Sequence, residues 1–251
     1  MFIQQRKFGY RWFTLLLPVL LSATGLATAA DEKPQADKVR ALASSGAELE
    51  FSDCALTANE RLRHVQCARL SVPENYGQQG PDDVWIDLLI VRLPATAAQV
   101  QDDPVLAIAG GPGQAASRSF LRLDRAFAQL ARRRDIYLVD QRGTGQSNPQ
   151  PCAVDDAAMP LADPDPAQLS SLARACLQDF NGDPRHYTTE VAVRDLERVR
   201  QALGVSRWNL YGVSYGTRVA RTYMRHYPDA VRTTVLDGVL PADVSLCPQS
   251  A

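Results

Sequence analysis

Residues 212–216 read Gly-Val-Ser-Tyr-Gly. A serine with glycine two positions before and two after it fits one local geometry, a strand that turns at once into a helix. In that turn the hydroxyl points outward and the serine backbone is strained. A side chain at either flanking position would clash, and glycine removes the clash. The flanks agree with this geometry. Residues 207–211 form a short β-type run that ends at the motif. Residues 217–227 read as a helix stopped by Pro228.

Two upstream segments repeat the strand-then-loop pattern. The apolar run 104–109 enters Gly110-Gly111-Pro112-Gly113. A glycine-rich loop there can aim backbone N–H groups at a developing oxyanion. It can also be an ordinary strand-to-helix turn. No Lys-Ser or Lys-Thr follows the glycines, which argues against a phosphate-binding loop. Residues 135–139 form a second buried-type strand, leading into Asp140-Gln-Arg-Gly-Thr-Gly-Gln-Ser147. Three such units in series predict an α/β fold with a mostly parallel, doubly wound sheet and its chemistry at the strand ends.

Together, Gly110-Gly-Pro-Gly113, Asp140-Gln-Arg-Gly-Thr-Gly-x-Ser147 and Gly212-x-Ser-Tyr-Gly216 resemble the proline iminopeptidase and tripeptidyl aminopeptidase family of α/β-hydrolases. The resemblance runs from about Cys54 to about Pro241. Proline iminopeptidases usually carry His before the Gly-Gly-Pro-Gly run. This chain has Ala109, as in the secreted tripeptidyl-aminopeptidase branch. The resemblance implies that Ser214 is the acylated nucleophile and that the N–H groups of Gly111 and Tyr215 form the oxyanion hole. Gly212 and Gly216 make the elbow, and Asp140 and Arg142 brace the adjacent loop in a structural role. The implied substrate is a peptide, with a small ester as the alternative, because the same elbow serves both. No cofactor and no metal site is implied.

A serine hydroxyl needs a base, and the base needs an orienting carboxylate. In α/β-hydrolases these follow the serine in the order acid, then histidine. The one histidine after Ser214 is His226, near the far end of the expected helix and roughly 18 Å along its axis at 1.5 Å per residue. His64 and His186 precede the serine. Asp237 ends the next expected strand, 231–236, and reads mainly as a strand-end turn. The expectation is therefore a hydrolase fold truncated before its cap domain and last strands, lacking the acid and the histidine. Such a chain is inactive or nearly so as it stands, and a non-catalytic remnant is a competing reading.

Arg6, Lys7 and Arg11 precede a short apolar run, 12–21, and the small residues 27–30. This is a secretory signal pattern, cleaved near Ala29 or Ala30, that directs the chain to a periplasm or the exterior. The domain reading is signal peptide 1–30, linker 31–48, hydrolase segment 49–244 and unpatterned tail 245–251. There are five cysteines. In an oxidising compartment the favoured pairs are Cys54 with Cys67 and Cys152 with Cys176, although reduced core cysteines fit the sequence too. Against 27 basic residues stand 28 acidic ones, so nothing points to nucleic acid or to stable membrane association. The remaining pattern predicts strands at 61–72 and 84–93, an amphipathic helix over 115–131, a loop over 148–166, and a helix from 189 to 203 closed by Gly204. Loss of the last strands would expose an apolar sheet edge.

Overall fold

The computed structural model describes residues 49–58, 61–77, 83–121, 127–150 and 165–241. The expected signal peptide and linker, Cys152, Cys247 and the tail lie outside the described residues. Seven strands form one sheet: β1 Ser52–Ala58, β2 Arg61–Pro73, β3 Trp85–Leu93, β4 Val105–Ile108, β5 Ile136–Val139, β6 Trp208–Val213 and β7 Val231–Asp237. Their order is β1-β2-β3-β5-β4-β6-β7. The first three form an antiparallel meander, and β5, β4, β6 and β7 run parallel to one another. The mixed sheet is thus parallel where the glycine motifs lie.

Four helices are described: α1 Ala116–Phe120, α2 Pro166–Gln178, α3 Thr189–Ala202 and α4 Tyr215–His226. They explain why β4 and β5 are buried at every position. Side chains alternate between the two faces of a strand, and both faces here are covered. On one face Trp208, Leu210, Ile108 and Val72 pack with Leu196 of α3 and Tyr223 of α4. On the other, Val91, Leu138 and Ala107 pack with Phe120 and Phe127. Phe120, Phe127 and Tyr211 meet edge to face, with ring centroids 5.2–5.9 Å apart.

Local chemistry sets the helix ends. Thr188 caps α3 by accepting from the Val191 amide, and Gly204 just past its end has φ +65°. That left-handed angle costs glycine little. Asp165 accepts from the Ala167 amide and Pro166 occupies the first turn, so α2 starts where a proline is tolerated.

The helix expected over 115–131 is not continuous among the described residues. α1 ends at Phe120, and a separate 3-10 turn covers Leu130–Arg132. Leu130, assigned to the apolar stripe by its spacing, is 41% exposed. Phe120 and Phe127 are drawn onto Tyr211 instead, so tertiary aromatic packing overrides the helical period.

Candidate active site

The elbow is built by exclusion. A Cβ on Gly212 would lie 2.5 Å from the Gly216 carbonyl oxygen, and one on Gly216 would collide with the carbonyl oxygens of Ile108 and Ala109. Without those side chains, β6, α4 and the end of β4 close on one another. Ser214, between them, has φ +53° and ψ −121°, a conformation that L-residues with a side chain rarely adopt. Four hydrogen bonds hold it there or support the residue that does. The Ser214 amide donates to the Asp237 carbonyl at 2.8 Å. The Ser214 carbonyl accepts from the Thr217 amide at 2.9 Å and from the Thr217 hydroxyl at 2.6 Å. Thr217, fully buried, also accepts from the Leu240 amide at 3.0 Å. The Ser214 side chain itself is exposed.

The Gly110-Gly111-Pro112-Gly113 loop lies directly against this serine. A Cβ on Gly110 would stand 3.0 Å from Ser214 Cβ and 3.5 Å from Ser214 Oγ. Gly111 has φ +101°, and the Gly111–Pro112 bond is cis. Gly111 and Tyr215 thus belong to the two segments that meet at the hydroxyl. The Tyr215 side chain is anchored away from the turn, its hydroxyl 2.6 Å from Thr189 Oγ1 of α3. Gly110 makes the close approach to Ser214. The doubled glycine at 110–111 was the available sequence signal for it.

On the other side of Ser214 stands Asp237. Its carboxylate accepts from the Tyr211 hydroxyl at 2.7 Å, and that bond, with burial adding to it, pushes the phenol up to about 12.

Asp140 and Arg142 do not pair with each other. Asp140 is fully buried at the end of β5. It accepts from the Ser117 amide and hydroxyl, at 2.8 and 2.9 Å, and from the Gln146 amide at 3.1 Å. Burial pushes its carboxyl above the ordinary range, although these donors oppose the shift. Arg142 makes two 2.6 Å bonds to Asp195 of α3 and donates to the carbonyls of Pro73, Glu74 and His186. Asp195 also accepts from the Tyr76 hydroxyl. An acidic residue among the apolar positions Ala192, Leu196 and Val199 was the sequence signal for this partner.

The three histidines lie elsewhere. His64 is exposed on β2, His186 sits in the turn Pro184–His186, and His226 at the end of α4 pairs with Glu190 at 2.6 Å. None bonds to Ser214 among the described residues. Cys54 and Cys67 are joined by a disulfide across β1 and β2, and Cys176 is disulfide-bonded. Among the described residues, no cluster of His, Cys, Asp or Glu could hold a metal ion, and no helix is long and apolar enough to cross a membrane.

A family model described as the alpha/beta hydrolase fold matches residues 103–249, more than half of the chain. The chain belongs to the α/β-hydrolase family. It is 33% identical to the Escherichia coli K12 protein YuaR over 70% of this chain and 36% of that one. It is 29% identical to the tripeptidyl aminopeptidase of Streptomyces lividans, over 84% of this chain and 42% of the relative. It is 30% identical to the proline iminopeptidase of Neisseria gonorrhoeae, over 54% of this chain and 32% of that one. The chain therefore spans well under half the length of these relatives. Among solved structures, the proline iminopeptidase of Mycobacterium smegmatis matches with a TM-score of 0.41 and 18% identity, over 65% of this chain and 41% of that one.

Proposed function

We propose that this α/β-hydrolase chain carries the nucleophile and oxyanion loop of a serine hydrolase of the aminopeptidase kind, acting on the N-terminal end of peptides. The observation that carries the reading is Ser214. It is an exposed hydroxyl on a backbone held at positive φ, with a glycine loop against it. Strain of this kind persists only where the surroundings impose it, and it concentrates at functional positions.

In this reading Ser214 Oγ attacks the substrate carbonyl carbon and loses its proton to a base. The amides of Gly111 and Tyr215 donate to the oxyanion that forms. Collapse expels the amine with a proton from the same base, and water then hydrolyses the acyl-enzyme. The base must be a histidine within hydrogen-bond reach, and none of the three histidines here is so placed. With no histidine placed at Ser214, we expect the 251-residue chain alone to react weakly. Relatives named as aminopeptidases support the peptide substrate. The Cys54–Cys67 bridge supports an oxidising compartment, outside the cytosol or in a periplasm.

The test is labelling with a fluorophosphonate probe, read by peptide mass spectrometry. Slow adduct formation confined to Ser214 and abolished in Ser214→Ala is the expected result. Absence of any Ser214 adduct at millimolar probe would overturn the assignment of the nucleophile.

A further inference from the structure

Next to the glycine loop the structure carries an exposed positive charge. Arg118 lies on α1, exposed, and among the described residues its guanidinium has neither an ion pair nor a hydrogen bond. Two cavities adjoin it. One, of about 390 Å³, is lined by Gly113, Gln114 and Ser119 of the loop and α1. The other, of about 220 Å³, reaches Thr57 on β1 and Gln146. Ala115, Arg118 and Gly145 line both. Among the described residues no carboxylate lines either cavity, and besides Arg118 their polar side chains are hydroxyls and amides.

The neighbouring charges are accounted for. Asp140 lies beneath this region and feels the Arg118 charge through space, but its hydrogen bonds come from Ser117 and Gln146. Arg69 reaches Gln146 from β2 and bonds to both its backbone and its side-chain oxygen. Two guanidinium groups therefore flank the Gly145–Gln146 turn, and only the one facing the cavities lacks an acceptor. The loop residues Gly113 and Gln114 continue directly to Gly110, which touches Ser214, and the Gln114 amide points back to the Gly110 carbonyl.

We propose that the paired cavities form a substrate subsite in which Arg118 binds a carboxylate of the peptide, making Arg118 a specificity-determining residue. This rests on the peptide-hydrolase reading above. A planar guanidinium takes a carboxylate in a bidentate fork, and the described lining offers it hydroxyls and amides rather than an acid. The carboxylate is supplied either by an acidic side chain or by the peptide C terminus.

The test is titration of the full chain carrying Ser214→Ala, so that no bond is cleaved, followed by NMR line broadening of four peptides. These are Ala-Ala-Ala-Glu amide, Ala-Ala-Ala-Gln amide, and tetra-alanine as the free acid and as the amide. A preference of about 1.4-fold to fivefold for one or both carboxylate-bearing peptides is expected, the range of one exposed charge pair. The Glu–Gln pair reads a side-chain carboxylate and the acid–amide pair a terminal one. Arg118→Gln should abolish the preference, Arg118→Lys should keep part of it, and added salt should weaken it. Equal binding of each pair, absence of binding at millimolar peptide, or a preference that survives Arg118→Gln would overturn the proposal. Fluorophosphonate labelling of Ser214 in the parent chain reports separately on the nucleophile.

Discussion

The amide of Ser214 donates to the carbonyl of Asp237, the last residue of β7, at 2.8 Å. The turn that exposes the serine is therefore tied to the neighbouring strand as well as to its own. From Asp237 the chain continues to Leu240, whose amide returns to Thr217 on the other side of the same turn. The elbow is clasped by residues 23 to 26 positions downstream of those it pairs with.

Thr217→Val should expose this clasp. The substitution keeps the shape but leaves the Leu240 amide unpaired and removes the hydroxyl bond to the Ser214 carbonyl. A loss of about 1–3 kcal/mol in urea unfolding is expected, together with faster hydrogen exchange at the Ser214 and Leu240 amides.

Gly216→Ala sets two effects against each other. Helix propensity alone favours alanine by about 1 kcal/mol in the first turn of α4. The new methyl, however, would meet the backbone carbonyls of Ile108 and Ala109, and backbone cannot step aside as a side chain can. Overpacking of this kind costs about 1–3 kcal/mol. The variant should be net destabilised in chemical denaturation, and a gain in stability would contradict the close approach of β4.

Arg142→Met should be the most damaging of these substitutions. It strands the Asp195 carboxylate, 3% exposed, with only the Tyr76 hydroxyl, and leaves three carbonyls without their donor. Breaking a buried pair from one side costs about 3–5 kcal/mol. The double variant Arg142→Met with Asp195→Asn should recover part of that loss, which a double-mutant cycle on unfolding free energies measures.

Acid sensitivity has an identifiable source in Glu197. Burial opposes its ionisation, but bonds from Arg200 and Tyr223 outweigh burial and hold the carboxyl below its ordinary range. A carboxylate whose folded pKa is depressed binds fewer protons folded than unfolded. It therefore adds stability above its unfolded value, about pH 4.3, and that stability is lost as pH falls through the lower folded value. Glu197→Gln should flatten the fall in melting temperature below about pH 4.5 relative to the parent chain.

How far the sequence carries depends on the range of the forces involved. Strands β4, β5 and β6 are legible because each is a short β-type run leading into a glycine-containing loop or turn, and α3 because its apolar spacing, Thr188 and Gly204 agree. α2 lies beyond the 148–166 loop reading, although Asp165-Pro166 is a local start signal. The break between Phe120 and Leu130 is not legible, since Tyr211, some 80–90 residues downstream, decides it. The Arg142–Asp195 pair spans 53 positions and leaves no pattern at either end beyond one acid on an apolar face. The glycines at the elbow could be read locally because they answer a local collision.

The positive φ of Ser214 carries one more consequence. An L-residue held there costs on the order of 1–3 kcal/mol, which Asp237, Thr217 and the interlocked glycines must offset. Glycine would adopt the same angles without that cost. Ser214→Gly should therefore melt at a higher temperature than the parent chain. Selection for a steadier fold and selection to keep the hydroxyl then act in opposite directions on a single codon.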